Sequence, residues 1–168
     1  MDRDKGQDGG PRPFKVGRLL FNADKAVLSF IQQHLGSVFE PDGEFRCVGI
    51  LDGSDNLVTG ACFHFFVGSG AMMTGASSRP GRWTTRKVMA GLFAYAFESL
   101  ELHRITCLVA EDNLASARWC EKAGFKVEGR LRQGATDHSD LMVYGMLEAD
   151  CRWLHGQEKQ RSTEGTKR

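Results

Sequence analysis

The chain has 168 residues, 41% of them apolar, with 22 lysines and arginines against 21 aspartates and glutamates. That length suits one domain, able to bury about two-thirds of its unfolded surface without a metal or disulfide, and the near-neutral charge makes no electrostatic case for nucleic acid. No apolar run is long enough to span a membrane, and the five cysteines, odd in number and without a Cys-x-x-Cys pair, read as reduced core thiols of a cytosolic protein.

Residues 1–13 are polar and carry Gly9, Gly10, Pro11 and Pro13, the composition of a flexible arm with no secretory leader. The domain proper is expected over 14–154. A first strand is predicted over 14–21, although Gly17 interrupts it. An amphipathic helix follows over 24–35. Val27, Phe30, Ile31 and Leu35 form its apolar stripe, Asn22 or Asp24 its cap and Gly36 its end. Strands over 45–51, 57–67 and 71–77 are separated by the turn clusters 52–56 and 68–70, which predicts an antiparallel meander. His64 shares an alternating face with Val58, Cys62 and Phe66, as a buried hydrogen-bonded histidine or a cleft histidine.

A connection over 78–83 leads to a helix capped by Thr84 or Thr85 and running to about Leu100. Val88, Leu92, Ala96 and Leu100 form one apolar row, with Met89, Phe93 and Phe97 beside it, the broad stripe of a helix lying on a sheet. Gly91 costs that helix about 1 kcal/mol relative to alanine and leaves room for close packing. The strand over 104–110 is expected to lie parallel to the fourth, because the helix between them is long enough to cross over. Asn113 caps a helix that Gly124 closes. Strands over 125–132 and 141–147 flank a polar loop, and the tail from 155 is low in apolar residues and expected to be disordered.

Chemistry gathers at two places. In the loop before the long helix, Arg79, Arg82, Arg86 and Lys87 crowd a helix N-terminus, where basic groups are disfavoured by about 0.3–1 kcal/mol each. An anion on the first N–H groups reverses that penalty; a solvated basic loop is the other reading. The second place is implied only by a family resemblance: a cleft where the strands at 71–77 and 104–110 diverge. The five histidines, at 34, 64, 103, 138 and 155, have no metal-ligand spacing, and no phosphate loop, dinucleotide fingerprint or nucleophile elbow occurs.

Asn113, Ser116, Trp119, Cys120, Glu121, Lys122, Gly124 and Phe125, followed by Glu128, Gly129 and Arg132, resemble the C-terminal half of the GCN5-related N-acetyltransferase superfamily. The pattern is most similar to the branch that acetylates ribosomal protein N-termini. The likeness extends back through 95–98 and 103–105 and forward to Asp140, Tyr144 and Met146. It implies an α/β fold with a mixed, mostly antiparallel central sheet and helices on both faces. It also implies acetyl-coenzyme A as cofactor and an amine, small or on a protein, as acceptor, with no DNA or membrane partner. By that resemblance Arg79, Gly81, Arg82, Trp83, Thr84, Thr85 and Arg86 surround the pyrophosphate, Asn113 lies near the pantetheine arm and Ser116 near the thiol. Cys120 stands where many relatives carry a tyrosine that protonates the departing thiolate. His64, His138 and Asp140 are the candidate bases, and Glu128 shapes the acceptor side.

The loop departs from the family's pattern of Arg or Gln, two residues, Gly, one residue, Gly or Ala. The corresponding positions are Pro80, Trp83 and Thr85. Two readings follow: an acetyltransferase with an altered loop, or an inactive member of the fold serving as a binding or assembly protein.

Overall fold

The computed structural model of the chain describes residues 16–35, 39–80 and 82–154. The expected arm, the tail, Gly36 and Gly81 lie outside the described residues. The elements in chain order are β1 (Val16–Leu20), α1 (Asp24–His34), β2 (Phe45–Asp52), β3 (Leu57–Val67), β4 (Gly70–Ser77), α2 (Arg86–Ala94) with a wider π turn (Tyr95–Ser99), β5 (Arg104–Ala110), α3 (Leu114–Ala123), β6 (Lys126–Leu131) and β7 (Leu141–Leu147).

The seven strands form one sheet in the order β1-β2-β3-β4-β5-β7-β6. Every pairing is antiparallel except β4 with β5. Helices cover both faces, so the architecture is the mixed, mostly antiparallel α/β fold expected. On one face α2 and α3 bury Val48, Phe63, Met73, Ile105, Cys107 and Tyr144. On the other, α1 buries Val27 and Ile31 against Cys47 and Cys62. The alternation of β2 and β3 explains this division, since successive side chains point to opposite faces.

Two glycines shape the α1 face. Gly49 pairs with Gly60 across β2 and β3. A Cβ on Gly60 would come within 2.8 Å of Ile31 and 2.9 Å of Val27. The missing side chains let α1 lie directly on the sheet. On the opposite face a Cβ on Gly91 would run into Leu19, so the costly glycine of α2 admits a β1 side chain.

The helix caps differ partly from expectation. Neither Asn22 nor Asp24 caps α1, whose Ala23 makes no side-chain cap bond. The Asp24 carboxylate instead accepts the Cys47 N–H at 2.6 Å. β1 pairs with β2 only as far as Leu20 and Gly49, so this amide has no strand partner on that side and the helix supplies one. Thr85, not Thr84, caps α2, accepting the Val88 N–H. Asn113 caps α3 and Gly124 closes it at φ 109°, as read from sequence. In β3 the alternation breaks after His64. Phe65 takes φ 48°, the register shifts before Val67, and Phe66 joins the α2 face instead of sharing that of His64.

Candidate active site

The parallel pairing of β4 with β5 is brief. It joins Gly70 to Arg104, Ala71 to Ile105 and Met72 to Thr106, and among the described residues goes no further. Both strands continue, β4 to Ser77 and β5 to Ala110. From Met73 and Cys107 onward their facing backbones are unpaired, and we call the gap this leaves between the two strands the V. Gly75, in mid-strand, is exposed where an interior strand would be covered. Backbone N–H and C=O groups are obligatory hydrogen-bonding groups, so a gap of this kind takes an extended ligand carrying amides.

The open end of the V leads on one side into the basic loop. Its first residues are tied to β3. Ser77 Oγ bonds Thr59 Oγ1 at 2.7 Å and donates to Val58 O at 3.1 Å, and the Arg79 N–H donates to Ser77 Oγ. Arg79 also acts on Asp52, whose carboxyl lies below its ordinary range first because Asn56 and Ser54 N–H groups bond it and then through the Arg79 charge. Trp83 is turned inward, 7% exposed, and its ring stacks on Trp119 of α3 at 5.5 Å between centroids and 30° between planes. It therefore bridges the loop to the helix on the far side of the V.

That folding uses up much of the loop's backbone. The Arg82 N–H donates to Arg79 O at 3.4 Å and the Thr85 N–H to Trp83 O at 2.8 Å. Pro80 has no N–H. The amides of Arg86 and Lys87 open α2, where no acceptor within the helix can reach them. Arg82, Thr84, Thr85 and Arg86 are exposed beside them. An anion here meets guanidinium groups and two helix-end amides rather than a continuous amide cradle.

On the other side of the V stands α3. Asn113 is exposed and its Oδ1 accepts the Ser116 N–H at 3.1 Å, while Ser116 is half-buried in the first turn. Cys120 is 2% exposed and packs in the core beside Cys107, whose thiol is pushed well up by its bond to Cys120 and by burial. Cys120 is thus surrounded by core rather than by the cleft. Trp119 Nε1 is buried and has no hydrogen-bond partner among the described residues, leaving an unspent donor on this helix.

The candidate bases fall in different places. His64 is 8% exposed on the α1 face, with Nε2 2.9 Å from Thr74 Oγ1 and its ring edge-on to Phe39 at 5.0 Å. Burial lowers its pKa, which favours the neutral ring at pH 7. Asp140 has both oxygens engaged, Oδ1 by the Gln133 N–H at 2.7 Å and Oδ2 by Arg130 Nε at 2.5 Å. Those bonds hold its carboxyl below the ordinary range, which suits a tie more than a base. His138 is exposed in the loop before β7. Glu128 pairs with Arg104 across Gly145, on a part of the sheet that α1 leaves uncovered.

Sequence reasoning did not single out the Thr74 hydroxyl or the Arg104–Glu128 pair. Hydroxyls in a strand carry no pattern of their own, and the ion pair forms between residues 24 apart.

The chain matches the acetyltransferase (GNAT) domain family over residues 23–126, more than half its length. It is 34% identical over 116 residues to the probable N-acetyltransferase YjcK of Bacillus subtilis, a match that spans 62% of this chain and 64% of that protein, so less than two-thirds of the relative's length. Among solved structures, a mutant form of the spermidine/spermine N-acetyltransferase SpeG from Vibrio cholerae superposes with a TM-score of 0.64 at 18% identity, over 84% of this chain and 98% of the other. The same enzyme in complex with manganese ions superposes at 0.62 and 18%, over 81% and 93%. At that identity the likeness is one of fold. The chain belongs to the GNAT acetyltransferase family.

Proposed function

We propose that this protein is an acetyl-coenzyme A-dependent N-acetyltransferase acting on a primary amine. The observation that carries the reading is the V between β4 and β5 beyond Met72 and Thr106, with its unpaired facing backbones. Acetyl-coenzyme A supplies the acetyl thioester, and its pantetheine arm has the extended, amide-bearing form the V suits. Arg82 and Arg86, the first amides of α2 and the hydroxyls of Thr84 and Thr85 would hold the pyrophosphate, with Arg79, Gly81 and the Trp83 backbone completing the loop. Asn113 would flank the arm and Ser116 the thiol end. Backbone N–H groups of β4 would stabilise the oxyanion. Of the candidate bases, His64 has the more suitable environment and Asp140 the less. Cys120 as proton donor to the thiolate requires passage out of the core. The acceptor suggested by sequence resemblance is a protein N-terminus, and the reduced cysteines suit the cytosol.

One set of observations favours a second reading, an inactive binding protein. The loop spends the Arg82 and Thr85 amides on itself, and Pro80 offers none. Calorimetry with acetyl-coenzyme A separates the two. Micromolar binding, lost in the Arg82→Glu/Arg86→Glu double variant, is expected for the enzyme. No binding up to millimolar coenzyme, with the protein shown folded by circular dichroism, rejects it in favour of the binding protein.

A further inference from the structure

His64 and Thr74 stand at the place where β4 leaves β5. Met72 is the last residue of β4 paired with β5, and Thr74 is the next on the same face. Opposite it on β3 is Cys62, and His64 lies diagonally across, in register with Met72. The Thr74 hydroxyl is 2.9 Å from His64 Nε2. The imidazole is buried and Thr74 is half-buried. The hydroxyl is thus the outer member of the pair and the ring the inner one. Had the strands stayed paired, Thr74 would lie beside Leu108, which is instead 37% exposed. The hydroxyl therefore borders the V, on the face that α1 covers over β2 to β4 and leaves open over β5, β7 and β6.

We propose that Thr74 is the group that meets the acceptor amine and that His64, behind it, stores the amine's proton. This rests on the acetyltransferase reading above. The C–N bond formed and the C–S bond broken belong to the two substrates, and the protein handles the one proton the amine nitrogen sheds. Thr74 Oγ1 takes that proton as it passes its own to His64 Nε2. The imidazolium returns a proton by the same path to the departing thiolate, so the pair ends as it began. His64 is in this scheme a positioning and proton-storing residue, and Thr74 the catalytic one. The relay requires that the resting ring carry its hydrogen on Nδ1 and leave Nε2 free to accept.

The surroundings of His64 suit this task. Phe39 packs on the ring and Phe45 is its partner on β2. α1 presents Val27 and Ile31 to this side of the sheet, and the ionisable groups on the same face are the buried thiols of Cys47 and Cys62, the Asp24 carboxylate of α1 held on the Cys47 N–H and, over the open part of the sheet, the Arg104–Glu128 pair, whose opposite charges offset one another. Burial is the cause that moves its titration downward. The ring is therefore expected to be unprotonated above about pH 6.5, the ordinary histidine value.

The test combines a readout on the free protein with kinetics. Nitrogen-15 NMR of His64 at pH 7.5 is expected to show Nε2 unprotonated in the wild type, and a shift of that resonance in Thr74→Val. With a screened amine acceptor, Thr74→Val and His64→Gln are each expected to lower kcat 10²- to 10⁴-fold, the usual range for general base catalysis. Thr74→Ser restores most of the rate, and coenzyme affinity by calorimetry stays within threefold throughout. The acid limb of kcat/KM, placed below pH 6.5 in the wild type, disappears in His64→Gln. A resting ring protonated at Nε2, or variants that keep wild-type kcat and pH profile, overturn the relay while leaving the enzyme reading intact. A wild type that binds no coenzyme removes both. Thermal melts show whether a variant has simply unfolded, and in that event Thr74→Ser and the tautomer decide.

Discussion

Trp83 of the basic loop lies stacked on Trp119 of α3, 5.5 Å away and 93% shielded from solvent. In the family's pattern this position is a glycine, which suggests a ring blocking a phosphate site. The structure turns the ring the other way, into the core with Phe125 beyond Trp119. Removing it should therefore cost stability rather than open a site. Truncation of a buried tryptophan costs about 3–5 kcal/mol. Trp83→Ala is expected at the lower end, because the loop can partly collapse, and Trp83→Phe well below that. Urea denaturation followed by far-ultraviolet circular dichroism measures both. A Trp83→Ala protein as stable as wild type would mean that the stack does not form.

Thr85 offers a smaller effect with a sharper control. Its Oγ1 accepts the Val88 N–H at 3.3 Å and opens α2, the helix that carries Val88, Met89, Leu92 and Phe93 into the core. Thr85→Ala is expected to cost about 1 kcal/mol, the usual loss of an N-cap. Thr85→Ser should return most of it. Equal losses in the two variants would point to the methyl group, not the hydroxyl, as the stabilising part.

Much of this was legible in the chain. Apolar alternation and turn clusters located the seven strands. The cap and closing glycine of α3 stood in the sequence because both act within a few residues. The parallel pairing of β4 with β5 followed from the length of the helix between them. What escaped were features made by distant approaches. Asp24 looked like a cap and became the acceptor for a strand amide 23 residues on, because only the folded sheet shows that β1 stops short of Cys47. Gly49 and Gly60 carry no signal of their own inside the predicted strands, and are the bed on which α1 lies. Trp83 looked like an obstacle because composition cannot say which way a ring turns.

Asp140 makes the stability of the loop before β7 depend on pH. Its carboxyl is held below the ordinary range first by the Gln133 N–H and next by Arg130. A carboxylate with a depressed folded pKa adds stability above its unfolded value, about 3.9, and that contribution is lost as pH falls through the folded value. Asp140→Asn keeps an oxygen for the Gln133 N–H and removes the titration. Its stability is expected to fall less steeply than that of wild type between about pH 4 and pH 2. The residual slope belongs to Asp52, Asp137 and Glu128, which are depressed as well. Guanidinium midpoints are unsuitable here because the salt screens exposed charges, so urea midpoints across this range are the measurement. Parallel acid limbs would show that the Asp140 contacts are too loose in solution to matter.

Gly145 and Glu128 are expected to be energetically coupled. The Glu128 side chain, on a bulged stretch of β6, folds over Gly145 of β7 to reach Arg104 of β5. A Cβ on Gly145 would occupy the space of its carboxylate. The obstructing atoms are the end of a flexible side chain, so Gly145→Ala need not disturb the sheet. It should swing Glu128 aside and separate it from Arg104. The pair is about one-third exposed on both sides, so its loss is worth no more than about 0.2–1 kcal/mol. In Glu128→Ala the carboxylate is already gone, and adding Gly145→Ala should cost nothing further or even stabilise, since alanine suits a strand better than glycine. The double-mutant cycle therefore predicts a coupling energy close to the whole cost of Gly145→Ala. Strict additivity would mean that the alanine disturbs β7 itself, and that Glu128 does not rest over Gly145.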